Sequence, residues 1–385
     1  MSAPRLDEAW LKEHVWPRFS RVLQRGEIYL ANHSLGRPPG RMAEDVRAAI
    51  DAWYRDMDGA WDVWMQGREA FRSLTMKLVN APSADCIVPK TSAGQGLRAV
   101  LNALPGKPRV LASDAEFDSL DFILRVYRDK GRIELKILPF ERFEYQPCDL
   151  IVVSTVAFRT GKVFAGLEEL LRKAHEGGAM VLLDVYHHAG VLPLDLAALD
   201  ADFAVGGSYK YLRGGPGACW LYVHPKRHGL RTLDTGWFAK KDVFSYARPE
   251  PPRFAAGGDA WLESTPPVLA PFQALAGLEL TLELGVEPIR AYNLEQKALL
   301  KSLLPVSGDD ESFGAFVTLR HQDAKGLAAE LEELGIKTDA RGEYLRLCPD
   351  YLNAREELER AAASLGSLLR QEDKAGRAPR PRRGA

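Results

Sequence analysis

The chain has 385 residues, of which 46% are hydrophobic and 27% are charged, an ordinary composition for a globular protein. Its 51 basic and 52 acidic residues give a formal net charge of −1, which excludes a global field that would recruit nucleic acid or an anionic membrane. A chain of this length is expected to form about two to three domains around large apolar cores.

The four cysteines, Cys86, Cys148, Cys219 and Cys348, stand far apart and form no CxxC pair. Their spacing argues against a metal site or a disulfide framework and favours a reducing compartment. The polar start of the chain lacks the apolar run of a signal peptide, and no stretch of about 18 apolar residues predicts a membrane span. We therefore expect a cytoplasmic protein without membrane or nucleic-acid partners.

Helical and strand-like patterns alternate along most of the chain, which is typical of an α/β fold with a mostly parallel sheet. Short apolar runs predict buried strands at 86–89, 109–112, 150–154, 180–184 and 203–206, with helices at 94–103, 120–130 and 167–176 between them. Further on, the pattern predicts helices at 271–283, 325–334 and 354–369, and strands at 315–319 and 344–347.

These patterns divide the chain into four parts. An N-terminal segment, 1–44, is expected to pack on a small domain, and a large domain is predicted at 45–255. After Pro251 the composition becomes rich in Gly and Pro. A connecting helix and a smaller C-terminal α/β domain, 256–370, are predicted to follow. The basic, Pro-rich residues at 371–385 are predicted to form a disordered tail.

The strongest chemical signal lies between residues 180 and 217. An apolar strand ends in Asp184, which would place a carboxylate at the carboxyl edge of a parallel sheet, where such folds bind ligands. A second strand leads through Ser208-Tyr209-Lys210 into a Gly-rich turn. Pyridoxal phosphate needs this pair, because a lysine must form an imine with its aldehyde and an anion must keep its pyridine nitrogen protonated. A helix-capping Asp and a surface Lys are the plainer interpretation of either residue alone.

The string Ser208-Tyr-Lys-Tyr-Leu-x-Gly-Gly-Pro-Gly217, preceded by Asp184-x-x-His187, resembles kynureninase, a member of the fold-type-I, class-V aminotransferase group. Weaker similarities follow in the same order from Ile28 to about Asn353. The resemblance implies a large domain with a mostly parallel sheet, a smaller C-terminal α/β domain and a homodimer. It also implies cleavage of the Cβ–Cγ bond of L-kynurenine, 3-hydroxykynurenine or a related γ-keto amino acid, giving an anthranilate and L-alanine in tryptophan catabolism.

The same resemblance implies the roles of residues around pyridoxal phosphate. Lys210 would carry the imine, Asp184 would pair with the pyridinium nitrogen, and His187 would lie beside the ring. Phe117 would stack on the ring, within a segment that continues to Ser119. The other cofactor contacts implied are Ser154, Tyr209, Trp237 and Thr265, of which Tyr209 and Trp237 would reach the phosphate.

Two further features bear on the phosphate. Thr91 and Ser92 precede a predicted helix, and hydroxyls with free N–H groups at a helix N-terminus form a natural phosphate cradle. A simple N-cap by Ser92 is the plainer interpretation, and both can hold. The resemblance implies that Thr265 crosses to the phosphate of the partner subunit, so that each site would need two chains; a rigid turn at Thr265-Pro-Pro is the alternative.

The substrate side rests on fewer residues. A planar guanidinium suits an amino-acid carboxylate, and Arg346 matches the carboxylate-binding arginine of the family, with a surface arginine as the alternative. His33 and Ser34 belong to a segment, 28–36, that resembles the Asn-Ser-Leu-Gly motif lining the substrate pocket of the family.

The departures from the family pattern concern the substrate more than the cofactor. His33 stands where the motif has Asn, and Leu120 stands where an Asp is usual. Ala239-Lys240 replaces Gly-His, and the Trp-rich stretch 53–64 matches the aryl-pocket segment poorly.

Three alternatives therefore stay open at the level of the sequence. The first is a class-V aminotransferase, which excess amino donor would convert to the pyridoxamine form. The second is a cysteine desulfurase-like lyase, which needs a cysteine on a mobile loop and for which Cys348 is the candidate. The third is a non-catalytic homologue that keeps the cofactor pocket.

Overall fold

The strands of the computed structural model, which describes residues 5–374 and side chains as far as residue 371, form three sheets. In chain order they are β1 (Ile28–Tyr29), β2 (Ile87–Lys90), β3 (Arg109–Ser113), β4 (Glu134–Leu138), β5 (Leu150–Ser154), β6 (Met180–Asp184), β7 (Phe203–Gly207), β8 (Cys219–Val223), β9 (Val317–Arg320), β10 (Ile336–Lys337), β11 (Asp339–Arg341) and β12 (Tyr344–Leu347). The predicted strands at 150–154 and 180–184 are confirmed to the residue.

The helices lie on both sides of the largest sheet and around the C-terminal unit. They are α1 (Glu8–His14), α2 (Ser20–Leu23), α3 (Arg41–Asp56), α4 (Ala60–Leu78), α5 (Ala93–Leu101), α6 (Asp118–Asp129), α7 (Leu167–Glu176), α8 (Ala270–Leu284), α9 (Val286–Leu303), α10 (Ala324–Glu333) and α11 (Arg355–Lys374). Within residues 5–374, no helix combines the length and apolarity needed to cross a bilayer.

The largest sheet has seven strands in the order β2-β8-β7-β6-β5-β3-β4. Strands β3 to β7 run parallel to one another, and β8 runs antiparallel to both β2 and β7. The predicted mostly parallel α/β fold is therefore confirmed. Strands β4 and β8 were not predicted. The pattern of β4 alternates between exposed and half-buried residues rather than forming an apolar run, because it lies at the sheet edge.

The sheet is buried on both faces, which explains why its central strands are continuous apolar runs. Ile151 and Val153 of β5 face one core, whereas Leu150 and Val152 face the other. Both cores extend into the helices that cover the sheet. Ligands are thus excluded from the faces and can approach these strands only at their ends.

The C-terminal unit contains a three-stranded antiparallel sheet in the order β11-β12-β9. Strand β1, from the N-terminal segment, pairs parallel with β10, and Ile28 and Leu30 join the apolar core of this unit. In the hairpin of β11 and β12, Asp339 lies directly opposite Arg346. The tail predicted at 371–385 lies outside the described residues from 375 onward.

Candidate active site

Three parallel strands end side by side at one edge of the large sheet. Ser154, the last residue of β5, pairs in register with Asp184, the last residue of β6, and Asp184 pairs with Val205 of β7. The chain leaving β7 reaches Lys210 three residues after the strand ends. The register of these strands therefore brings together two positions, 184 and 210, that the sequence separates widely.

Lys210 is a buried amine, with 5% of the residue exposed. Its Nζ lies 2.7 Å from His187 Nε2 and 5.6 Å from the ring centres of both Phe117 and Tyr209. Burial lowers the pKa of Lys210, and the charge of Asp184 opposes part of that shift. An amine with a lowered pKa is available in its neutral form, which is the form that attacks an aldehyde.

Asp184 supplies a buried negative charge at the same edge. Its Oδ1 accepts a hydrogen bond from the backbone N–H of Tyr186 at 2.9 Å. Burial raises the pKa of Asp184, while that hydrogen bond and the charge of Lys210 act in the opposite direction. A cation placed against this carboxylate would compensate its desolvation, which is the property that a protonated pyridine nitrogen requires.

His187 is a neutral contact of the lysine. Its Nδ1 lies 3.3 Å from the hydroxyl of Tyr211, while its Nε2 faces Lys210. Burial lowers the pKa of His187 well below its ordinary value, and the charges of Lys210 and Arg346 lower it further. The imidazole can therefore accept a hydrogen bond from the lysine amine.

A cavity of about 140 Å³ lies between these groups. Nine of the predicted residues line it, namely Thr91, Ser92, Phe117, Ser119, Ser154, Asp184, His187, Tyr209 and Lys210. Tyr186, Phe158 and Cys219 also line it, although the sequence analysis did not predict them. Tyr186 lies in the turn that follows β6 and follows Asp184 by only two positions, so its closeness to Asp184 in the sequence was the available signal.

The start of α5 forms one wall of the cavity. Ser92 is the N-cap of this helix, and its Oγ accepts a hydrogen bond from Gln95 N at 3.1 Å, which confirms the predicted cap. Thr91, Ser92 and Ala93 all line the cavity. A helix N-terminus presents backbone N–H groups and the positive end of its dipole, so this wall suits a phosphate.

Glu116 is a second buried carboxyl that the sequence analysis did not assign. Ser154 donates to it twice, from N at 2.9 Å and from Oγ at 2.8 Å, and Ser113 Oγ donates at 2.5 Å. Burial raises the pKa of Glu116 to about 8, against these hydrogen bonds and with a further increase from Asp184. Ser154 is therefore held by Glu116 at the cavity wall.

Arg346 lies near the cavity but outside its lining, and it is 2% exposed. Its Nη1 donates to the carbonyl oxygen of Phe158, a cavity residue. Its Nη2 donates to Asp339 Oδ2 and, at 3.4 Å, contacts Ser34 Oγ. The predicted arginine is therefore a buried group that is already ion-paired within the chain.

His33 lies next to this ion pair. Its Nε2 is 3.7 Å from Asp339 Oδ2, too far for a hydrogen bond, and within residues 5–374 neither ring nitrogen has a partner. Burial lowers the pKa of His33 well below its ordinary value, and Arg346 is the next largest cause. The ring is therefore neutral, with one donor and one acceptor unsatisfied.

The predicted motif containing His33 and Ser34 packs, through Gly36, against the turn that carries Lys210. Gly36 N donates to the carbonyl of Tyr209 at 2.7 Å, and a Cβ on Gly36 would lie 1.9 Å from the carbonyl oxygen of Lys210. No other residue fits this close approach without moving the backbone. The glycine thus fixes the N-terminal segment against the turn that carries Lys210.

Trp237 and Thr265 do not belong to the described lining of the cavity. They instead contact each other, because Trp237 Nε1 donates to Thr265 Oγ1 at 3.0 Å in an exposed position. The Trp237 ring also stacks on Tyr246. Neither side chain reaches Lys210 of its own chain in this arrangement.

The four cysteines are buried, and within the described residues each is a free thiol. Burial raises the pKa of Cys348 to about 12, and its Sγ lies 3.6 Å from the carbonyl of Ala315. This position immediately after β12 does not provide the mobile, exposed cysteine that desulfurase chemistry requires.

Comparison with known proteins places these features in a family. The model of the family described as aminotransferase class-V matches residues 54–324. A kynureninase of Deinococcus radiodurans is 28% identical, with coverage of 89% of this chain and 90% of the relative. A kynureninase of Bacillus anthracis is 25% identical (91% and 90%), and an uncharacterised aminotransferase of Bacillus subtilis is 26% identical (83% and 90%).

Solved structures share the fold at lower identity. The cystine C–S lyase C-DES in complex with cysteine persulfide has a TM-score of 0.81 and 20% identity, covering 90% of this chain and 98% of that chain. The cysteine desulfurase CsdA of Escherichia coli has a TM-score of 0.77 and 18% identity, covering 95% and 99%. A variant of C-DES with glycine linked to its pyridoxal phosphate gives a TM-score of 0.82 at 19% identity, covering 91% and 98%.

Proposed function

Because the chain belongs to the aminotransferase class-V family and has pyridoxal phosphate as its cofactor, we propose that it is a hydrolase of kynureninase type. It would cleave the Cβ–Cγ bond of L-kynurenine, 3-hydroxykynurenine or a related γ-keto amino acid, giving an anthranilate and L-alanine. The observation that carries the proposal is the placement of Lys210 beside His187 and a buried Asp184 in one cavity, with Arg346 close to it.

The residues present fit the cofactor. Lys210 would hold it covalently through its neutral amine, and Asp184 would face its pyridine nitrogen as the compensating anion. Phe117 would stack on its ring, and the start of α5, with Thr91 and Ser92, would hold its phosphate. When bound, pyridoxal phosphate supplies an electron sink for negative charge that develops at the substrate α-carbon.

The proton at the α-carbon would be handled by Lys210. Since burial lowers its pKa, the amine of Lys210 would be available as a base for this proton. His187 Nε2, 2.7 Å from Lys210 Nζ, would orient the amine by accepting its hydrogen bond. The apolar side chains of Val156 and Phe158 in the cavity wall would limit bulk solvent around the Lys210 amine, while the single water molecule that the hydrolysis consumes would add to the side-chain ketone of the substrate.

The substrate side would be formed where the proposed large domain, 45–255, meets the proposed small domain, 256–370. Arg346 would bind the α-carboxylate through its planar fork, with Ser34 beside it. His33 would offer its unsatisfied ring nitrogens to a polar group of the substrate. The kynureninase relatives, 25% and 28% identical over about nine-tenths of this chain, support the choice of substrate.

We further propose a cytoplasmic homodimer in which Thr265 and Trp237 complete the site of the partner. The exposed aromatic surface near them supports this, because Phe244 and Tyr246, whose rings pack against Trp237, also lie open to solvent on this chain. The free, buried cysteines are consistent with a reducing compartment.

The function is tested by incubating the purified holoenzyme separately with L-kynurenine and with 3-hydroxykynurenine. We expect equal amounts of the anthranilate, followed by its fluorescence, and of L-alanine. Formation of a keto acid with conversion of the cofactor to its pyridoxamine form, without an anthranilate, would contradict the hydrolase proposal and indicate an aminotransferase. An equimolar mixture of an amino donor and a keto acid, assayed in parallel, measures that second activity directly.

A further inference from the structure

We propose that Asp339 is a specificity-determining residue that occupies the carboxylate-binding edge of Arg346 in the free enzyme and is displaced by the substrate carboxylate. The inference rests on the proposed function only in assigning Arg346 to that carboxylate. It does not depend on which amino acid is cleaved.

The hairpin geometry places the two side chains together. Asp339 of β11 and Arg346 of β12 are directly opposed cross-strand partners. Asp339 Oδ2 accepts from Arg346 Nη2 and from Ser34 Oγ, while Oδ1 accepts from Arg341 Nη1 at 2.8 Å. One carboxylate therefore links the buried arginine to a second arginine at the surface.

The atom that Asp339 holds decides what Arg346 can still bind. A guanidinium has two edges that grip a carboxylate with two parallel hydrogen bonds, one formed by Nε and Nη2 and the other by Nη1 and Nη2. Both edges include Nη2, which is the atom bound to Asp339. Nη1 is in addition engaged by the Phe158 carbonyl. A substrate carboxylate can bind bidentately only if Asp339 leaves.

Two unsatisfied buried groups indicate that a ligand belongs here. Within the described residues, Arg346 Nε has no hydrogen-bond partner, and neither do the two ring nitrogens of His33. Arg346 is 2% exposed and His33 is 1% exposed, so bulk solvent cannot supply the missing hydrogen bonds to these atoms. The free Nε belongs to the Nε–Nη2 edge, so a ligand carboxylate on this edge would satisfy Nε and replace Asp339 at Nη2.

Arg341 gives Asp339 an alternative position. The side chain of Arg341 is 45% exposed and bonds to Oδ1, the oxygen that Arg346 does not use. Asp339 can thus rotate away from Arg346 and keep an ion pair at the surface. The exchange leaves no buried charge without a partner, because the substrate carboxylate replaces the charge that Asp339 withdraws.

The exchange also preserves the electrostatic environment of Lys210. The positive charge of Arg346 lowers the pKa of Lys210, whereas the negative charge of Asp339 raises it. A substrate carboxylate at Arg346 would take over the second effect. A ligand with an uncharged group in place of the carboxylate gains nothing from Arg346, since it cannot compete with Asp339 for the guanidinium.

The test compares L-alanine with L-alaninamide, which keeps the amine but lacks the negative charge. Binding of each to the holoenzyme is measured by titrating the change in cofactor absorbance at about 420 nm. We expect Asp339→Asn to tighten L-alanine binding about tenfold, because a competing charge-assisted hydrogen bond is removed, and to change L-alaninamide binding far less. Glu343→Gln, which removes an exposed carboxylate bonded to Arg320 on the same hairpin, is the matched control and should change neither.

Arg346→Gln separates this inference from the assignment on which it rests. Suppose that Arg346→Gln weakens the binding of L-alanine relative to that of L-alaninamide, but Asp339→Asn does not tighten the binding of L-alanine. The assignment of Arg346 to the carboxylate then stands, and the proposed displacement of Asp339 is wrong. Weaker L-alanine binding by Asp339→Asn would also overturn it, since Asp339 would then only orient the arginine. If Arg346→Gln leaves the ratio of the L-alanine and L-alaninamide affinities at its wild-type value, the assignment of Arg346 fails and the inference fails with it.

The wild-type protein provides a measurement that does not depend on how the variants fold. A crystal structure of the L-alanine complex is expected to show the ligand carboxylate on Nη2 of Arg346 and Asp339 bonded to Arg341 alone. An Arg346–Asp339 contact that persists in that complex would overturn the inference.

Discussion

The cofactor end of the site, around Asp184 and Lys210, and the substrate end, around Arg346, are assembled from different kinds of structure. The cofactor end lies at the ends of adjacent parallel strands, whose register brings Ser154 and Asp184 together and delivers Lys210 beside them. The substrate end joins His33, Phe158 and Arg346, which come from three parts of the chain. Strand ends of a single sheet therefore build the first, whereas packing between separate segments builds the second.

The two ends also differ in how their charges are balanced. At the cofactor end, Lys210 and Asp184 are both buried. Burial lowers the pKa of Lys210 and raises the pKa of Asp184, so that each shift favours the neutral form of the group. At the substrate end, Arg346 is matched by Asp339 within the chain. The cofactor end thus has buried charges that a bound ligand would compensate. At the substrate end, Arg346 is already paired, so a ligand carboxylate must compete with Asp339 for its guanidinium.

The largest expected effect concerns the cofactor end and its dependence on a second chain. Lys210→Ala should reduce turnover by at least about a thousandfold, because it removes both the covalent attachment and the base. Thr265→Ala should lower activity at limiting cofactor. If Thr265 acts across the dimer, coexpressing the two variants should restore about a quarter of wild-type activity, because about half of the dimers then contain one complete site.

The contrary outcomes for this experiment are distinct. No recovery in the mixed dimers would place Thr265 in the site of its own chain, and full activity of Thr265→Ala would remove it from the site. Lys226→Ala, an exposed lysine paired with Asp200, serves as the control for loss of a lysine. Borohydride trapping followed by peptide mapping should label Lys210 in the wild type and in this control.

An intermediate effect is expected at the substrate end. Arg346→Lys keeps the positive charge but loses the planar fork, so we expect KM to rise by about 10- to 100-fold with a much smaller change in kcat. Arg320→Lys, an exposed arginine on the neighbouring strand that pairs with Glu343, is the matched control. A fall in kcat at unchanged KM would place Arg346 in the chemical step and break the distinction between the two ends.

The difference between the ends explains how much could be predicted. The fold class and the strands at 150–154 and 180–184 follow from apolar runs that are local in sequence. Of the nine cavity residues, Asp184 and Lys210 follow from strand ends and Thr91 and Ser92 from a helix start, whereas the other five are implied by the family resemblance. Strand β8 was missed because it follows directly after the Gly-rich turn and pairs antiparallel with β7. No helix separates the two strands, so the alternation of helix and strand did not indicate it.

The residues that were missed depend on packing between distant segments. Asp339 becomes significant only because the β11–β12 register sets it opposite Arg346. Glu116 becomes significant only because strand β5 brings Ser154 against it. No spacing or composition in the sequence identifies either carboxyl as a partner of a site residue, since the information lies in strand register.

The smallest expected effect tests Glu116, the unassigned titrating group at the cofactor end. Burial raises its pKa to about 8 from an ordinary value of 4.5, so between these values the unfolded chain releases a proton that the folded chain retains. The contribution of Glu116 to the free energy of unfolding is therefore fully present below pH 4.5 and is lost as the pH rises through 8. Glu116→Gln keeps the shape and can still bond to Ser154, so we expect a gain in stability on the order of 1 kcal/mol at pH 8 and less than about a threefold change in turnover.

Urea unfolding of the holoenzyme between pH 5 and pH 9 measures this prediction. The Gln variant should show a flatter dependence of unfolding free energy on pH than the wild type, whereas Glu134→Gln, at an exposed edge-strand position, should keep the wild-type slope. A Glu116→Gln protein with the full wild-type slope would mean that Glu116 is ionised in the folded state. Ser154 would then be held by a second buried charge next to Asp184, and the cofactor end would carry one more negative charge than it does with a protonated Glu116, although burial and the charge of Asp184 oppose that ionisation.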